Sequence, residues 1–151
     1  RKLTVSQNLM AVLETLSYSA EEQDERTRDL LAELGLGHLS DSRADQLSGG
    51  EARRLEICRA LAREPRFLLL DEPFSGIDPK AVEDIQSIVS GLKSRNIGVL
   101  ITDHNVRETL AITDRSYILS EGRVLAKGTA RYLASDPEVR RVYLGERFRL
   151  D

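Results

Sequence analysis

The sequence has a single cysteine, Cys58, which excludes an internal disulfide and any metal site built on several thiolates. It also lacks a long hydrophobic run. The longest unbroken apolar stretch is five residues, 9–13, against the roughly 20 that a membrane-spanning helix needs. The chain therefore reads as carrying neither a transmembrane span nor a signal peptide. A basic field is missing too: 22 Lys and Arg stand against 25 Asp and Glu, a formal charge of -3, which disfavours gripping a nucleic-acid backbone. Neither an internal repeat nor a low-complexity linker is visible. What is present is 40% hydrophobic and 31% charged, the balance of a soluble globular chain, and 151 residues give room for one domain with its own core. The first residue is Arg1 rather than Met, which is expected either where residues have been removed or of a piece of something longer.

Residues 1–47 are acidic, with 5 basic and 9 acidic side chains, and residues 48–151 hold the other 17 and 16. Thr4 with Gln7 and Ser19 with Glu22 have capping-box spacing. Val5, Leu9, Val12, Leu13 and Leu16 form one apolar stripe; Leu30, Leu31 and Leu34 form another that stops at Gly35. Residues 1–47 are thus expected to be a small helical subdomain, with 21–25 on a solvated face. From Ser48 onward helix and short apolar strand alternate, which predicts an α/β fold with a mainly parallel sheet. A helix over 51–64 carries Leu55, Cys58, Leu61 and Ala62 on one face, so Cys58 reads as a packed, reduced thiol. Strands at 67–70 and 99–102 flank a helix capped by Asp78 with Pro79 in its first position. Segments 117–119 and 123–126 around Glu121-Gly122 are expected to form a hairpin that closes the sheet. The core is set at 48–127, and 128–151 is a helical tail whose second short helix starts at Asp136-Pro137 and ends near Gly145.

In an open parallel sheet, ligands bind at the carboxyl ends of the strands. Both strands end in polar residues there: 67–70 runs into Asp71-Glu72, and 99–102 into Asp103-His104. Adjacent carboxylates after an apolar strand are costly unless a cation or a proton-transfer task keeps them there. The natural division gives Asp71 to a hydrated Mg²⁺ and Glu72 to a water molecule. The other reading of Asp71 is a cap on the turn before Pro73. Ser48 and Glu51 have capping-box spacing and open a helix, but Gly49 and Gly50 are not needed for a cap. They let a phosphate approach the backbone at the positive end of the helix, so an anion site stands beside the plain helix start.

The strings LSGGE, FLLLDEP, SGIDP and ITDH, in this order and spacing, resemble the signature motif, Walker B, D-loop and switch histidine of the ATP-binding-cassette (ABC) family. The resemblance covers all 151 residues and implies a P-loop NTPase-like partial core, a helical subdomain, and hydrolysis of ATP with Mg²⁺. It implies that Asp71 holds Mg²⁺ through water, that Glu72 is the general base, and that His104 contacts the γ-phosphate and orients the attacking water. Ser48, Gly49 and Gly50 would bind the γ-phosphate of a nucleotide held mainly by the other subunit, and Asp78 would link the two sites across the dimer. Asp78 also serves as a helix cap, and His104 has an ordinary surface histidine as its alternative. Glu51 stands where the family most often has glutamine. The departure from the pattern is the phosphate loop: the four lysines, Lys2, Lys80, Lys93 and Lys127, never follow a glycine, so Walker A is absent from these residues. The adenine-stacking aromatic and the Q-loop glutamine are missing as well, and Gln7, at a helix start, is a poor substitute.

Within the family, GVLITDHNVRETL and RVYLGERFRL are similar to the ATPase of lipopolysaccharide export systems, whereas branched-chain amino-acid importer ATPases share the YLGE tail style but usually not the full run. That branch implies a homodimer on the cytoplasmic face of the inner membrane, beneath two membrane subunits, driving lipopolysaccharide extraction without a nucleic-acid partner. Arg1 and Lys2 fall near the groove where cassettes meet membrane subunits, or are simply solvated terminal charges. The 151 residues are expected to be the C-terminal part of such an ATPase and inactive alone. A non-transport cassette and an interaction module that lost catalysis are the rival classes; Glu72, Ser48 and His104 together argue against the second.

Overall fold

The computed structural model describes residues 2–145 and 148–150. Arg1, Glu146, Arg147 and Asp151 fall outside the described residues, and with them the expected groove contact of Arg1 and part of the YLGE tail. Helices α1 (Val5–Leu13) and α2 (Ala20–Glu33) both start on capping boxes: Gln7 N–H donates to Thr4 Oγ1 at 3.2 Å and Glu22 N–H to Ser19 Oγ at 3.3 Å, and each cap's own N–H donates in turn to the side-chain oxygen of its box residue. Gly35, at φ +67°, ends the second helical segment with the left-handed turn that favours glycine. The stripes turn inward as the periodicity predicts, with Leu9, Leu13, Leu31 and Leu34 nearly sealed from solvent.

Then come α3 (Gly49–Leu61), strand β1 (Phe67–Asp71), α4 (Pro79–Ser94) and strand β2 (Gly98–Thr102). β1 and β2 are parallel, paired from Phe67 opposite Gly98 to Asp71 opposite Thr102, with α4 as the crossover between them. One continuous hydrophobic cluster joins α1 and α2 to α3, β1 and α4. Arg26 lies 4.5 Å over the Tyr18 ring and pairs with Glu64, tying α2 to the end of α3. Cys58 is buried in that cluster, and burial pushes its thiol up to about 12, with Glu33 adding to the effect. Native chain at pH 8 is therefore expected to resist iodoacetamide, with one equivalent taken up after denaturation in urea; rapid native labelling would contradict the packed thiol.

After β2 the chain continues through α5 (Val106–Ile112), strands β3 (Ser116–Ser120) and β4 (Arg123–Gly128), α6 (Ala130–Ser135), α7 (Pro137–Val139) and a π turn (Arg140–Leu144) ending at Gly145. The hairpin forms, but it does not close the sheet. β3 and β4 make a separate antiparallel pair that does not hydrogen-bond to β2, and a cavity of about 300 Å³ is lined by residues of β2, α5 and β3. Among the described residues each sheet has two strands and leaves apolar side chains in solvent: Phe67, Leu69 and Leu100 on the first pair, Tyr117, Leu119 and Val124 on the second.

Candidate functional site

The carboxyl edge of β1 and β2 gathers the polar residues that follow both strands. Asp71 and Thr102 face each other at the end of the ladder, and the Thr102 hydroxyl donates to Asp71 Oδ1. The next residue, Glu72, donates its N–H to Thr102 O at 2.7 Å and then turns sharply, at φ +47°. That left-handed conformation costs a non-glycine residue about 1–3 kcal/mol and persists only when neighbours enforce it. Here Ser75 N–H closes the turn onto Glu72 O at 3.2 Å, and Pro73 and Phe74 anchor it in the core.

Asp103 is the brace that sequence reasoning missed. Its side chain is fully buried, and it accepts from Phe74 N–H at 3.0 Å and from both Asn105 N–H and Asn105 Nδ2 at 2.7 Å. One carboxylate thus locks the turn after Glu72 to the turn that carries His104. Burying it is tolerable because three donors replace its water. The local signal was an Asp two residues ahead of an Asn, a pattern for an Asx turn, but its bond to Phe74 spans 29 residues and leaves no local trace. Asp71 does not cap the turn before Pro73; that capping falls to Asp103.

Glu72 and His104 meet over this frame. Glu72 Oε1 is 3.7 Å from His104 Nδ1, which is 3.8 Å from Asp103 Oδ1, and the Glu72 and His104 side chains stay 55% and 64% exposed. A carboxylate and an imidazole held this close and open to solvent can accept a proton from water and contact an anion. Asp71 keeps one oxygen clear of the Thr102 bond at an exposed strand end. A hard oxygen donor of this kind suits Mg²⁺ held through water and phosphate rather than in a protein cage. No cluster of three or more His, Cys, Asp or Glu among the described residues could form such a cage.

The signature segment forms a second group. Ser48 caps α3: Ser48 N–H and Ser48 Oγ both donate to Glu51 Oε2 at 2.8 Å, and Glu51 N–H donates to Ser48 Oγ at 3.3 Å. The Ser48 N–H and then its hydroxyl hold the Glu51 carboxyl below the usual value. Gly49 is exposed; Gly50 is buried. A Cβ on Gly50 would lie 2.5 Å from the Ala81 Cβ in the first turn of α4, and one on Gly49 would lie 3.3 Å from Gly76 O. Close packing is thus a reason for these glycines that the sequence did not reveal. Asp78 Oδ1 caps α4 by accepting from Ala81 N–H at 3.1 Å, beside the Gly50 contact. The N–H and hydroxyl of Ser48 bond to Glu51 and its carbonyl accepts from Ala52 N–H, so none of its hydrogen bonds runs to Asp71, Glu72 or His104. Gln7 is spent in the α1 cap, its Oε1 accepting from Thr4 N–H at 2.9 Å.

A protein-family profile described as ABC transporter matches residues 1–75. The lipopolysaccharide export system ATP-binding protein LptB of Acidithiobacillus ferridurans is 55% identical over 99% of this chain and 62% of its own length. LptB of Escherichia coli strain K12 is 54% identical over 99% of this chain and 63% of its own length, so the chain spans less than two thirds of these relatives. A solved structure of MJ1267, an ATP-binding cassette of an ABC transporter in its ADP conformation, superposes with a TM-score of 0.80 at 31% identity over 96% of this chain and 64% of its own. The strand-end acidic pair, the capped glycine turn and these likenesses agree, and the chain belongs to the ATP-binding domains of the ABC transporter family.

Proposed function

We propose that the whole protein is the ATP-hydrolysing subunit that drives lipopolysaccharide extraction from the inner membrane, and that these residues are its C-terminal part. The observation that supports hydrolysis most directly is the exposed Glu72 carboxylate 3.7 Å from His104 on a braced loop beside Asp71. Glu72 takes a proton from the attacking water, and His104 orients that water and contacts the γ-phosphate. Asp71 would hold Mg²⁺ through water; when bound, the ion neutralises charge on the transferring phosphoryl group. Gly49 and the N–H groups at the start of α3 present donors to the γ-phosphate of the nucleotide held by a second copy, the Ser48 hydroxyl joins them on release from Glu51, and Gly50 keeps that turn against α4. Asp78, which caps α4 beside Gly50, would relate the two sites of the dimer.

On this reading 1–47 is the helical subdomain, 48–127 the catalytic core and 128–151 the tail. The cargo assignment draws on the LptB relatives at 54–55% identity. The dimer acts beneath two membrane subunits, peripheral to the inner membrane; no helix among the described residues is long and apolar enough to cross it. The 151-residue chain alone is expected to show no ATP hydrolysis above buffer, while the intact protein turns over ATP with Mg²⁺. Depleting the intact protein in the host is expected to leave lipopolysaccharide in the inner membrane. Normal turnover by the 151 residues, or loss of branched-chain amino-acid uptake instead, would overturn the reading.

A further inference from the structure

The Glu72 carboxylate has little of its own to fix it: His104 Nδ1 is 3.7 Å away, beyond hydrogen-bond distance, and half of the side chain is in solvent. Its position is set instead by the peptide from which it springs. That peptide is held by Thr102 O, by Ser75 N–H, and by a third group from elsewhere in the fold. Arg53, on the first turns of α3, extends its guanidinium to Glu72, and Nη2 donates to the Glu72 carbonyl at 3.2 Å. Its Nη1 donates to Glu56 Oε2 at 2.7 Å, so the planar fork is aimed by a carboxylate on its own helix. Of the three holds, the Arg53 bond alone comes from outside the β1–β2 edge and its turn, and its donor is charged, which strengthens it.

We infer that Arg53 is a positioning residue for hydrolysis, holding the left-handed backbone of Glu72 and tying the general base to the helix that begins at Ser48. This rests on the assignment of Glu72 as general base made above. A shift of α3 on engaging a nucleotide at Ser48 passes through one side chain to the base of the same subunit. The competing account makes Arg53 one half of a surface ion pair with Glu56, which is worth little.

The two accounts separate in the intact dimeric protein with Arg53→Met, Arg53→Lys and Glu56→Gln, each read for kcat, KM for ATP and melting temperature. A small displacement of a reacting group costs a large factor in rate, so Arg53→Met is expected to lower kcat about tenfold. Its KM should stay within about twofold, since substrate binding is untouched. Arg53→Lys, which can still donate to the carbonyl, should recover kcat to within about threefold of the parent. Glu56→Gln should stay within about twofold of the parent, because the amide still accepts from Arg53. Parental kcat in Arg53→Met, or a KM that rises in step with the loss, overturns the role; should Arg53→Met not fold, Arg53→Gln decides by the same criteria. A parental rate in Glu72→Gln removes the base assignment itself, whereas a parental rate in Arg53→Met with Glu72→Gln inactive removes only the part given to Arg53.

Discussion

Glu72→Gln in the intact protein lowers ATP turnover by about 100- to 10,000-fold, the range supplied by a positioned general base, while ATP still binds and the dimer stays closed. The amide has nearly the shape of the carboxylate, so packing is unchanged and only basicity is lost. The side chain is 55% exposed and enters no strong ion pair, and Thr102, Ser75 and Arg53 all grip its backbone, which the substitution leaves alone. The fold therefore has no reason to respond. On the arrangement proposed above, uncleaved ATP would keep bridging Ser48 of one copy and the phosphate loop of the other, so the closed state accumulates. Single-turnover kinetics and gel filtration with ATP and Mg²⁺ read the two effects separately. Ordinary turnover in this variant would move the base to an arrangement centred on His104.

Gly50→Ala is the second large effect, and it acts through packing. Alanine is a better helix former than glycine by up to about 1 kcal/mol, so propensity alone predicts a more stable protein. The new methyl, however, would lie 2.5 Å from the Ala81 Cβ, a distance that carbon atoms do not sustain, and a Cβ has no rotamer by which to escape. Overpacking of this kind costs about 1–3 kcal/mol and wins. α3 and α4 cannot slide freely to relieve it, because Arg54 Nη1 on α3 also binds Asp84 Oδ2 on α4 at 2.7 Å. For a protein of 150–250 residues the melting temperature falls by about 2–4 °C per kcal/mol. Ala81→Gly in the same chain opens the space, so the double variant should melt above Gly50→Ala alone, an opposite-sign coupling in a double-mutant cycle. Additive losses, measured without nucleotide, would place the cost of Gly50→Ala elsewhere.

The readable parts of this chain were those encoded within a few residues. Three capping boxes, the stop at Gly35, the Asp78-Pro79 start and the two strands all formed, since each depends on residues no more than a few positions apart. The placement of Asp71, Glu72 and His104 at the ends of the two strands was legible because ordered motifs mark those ends. Asp103, Arg53 and Gly50 were not, for a common reason. Their partners, Phe74, Glu72 and Ala81, lie 29, 19 and 31 residues away, and no periodicity announces a bond of that kind. The hairpin was predicted correctly as a hairpin and incorrectly as the closing strands of the sheet, because turn chemistry at Glu121-Gly122 fixes β3 against β4 and is silent about β2.

The two narrow sheets bear on how this chain behaves as a colloid. Each pair presents free strand edges and an uncovered apolar face with Leu69 71% and Leu119 65% exposed, and such edges template pairing with other copies. What holds copies apart is like charge, and the supply is small: -3 at neutral pH, vanishing near the isoelectric point of 5.5. Acidic buffers close to that point weaken the repulsion and favour meeting of the strands, so the solubility of these 151 residues is expected to be lowest there.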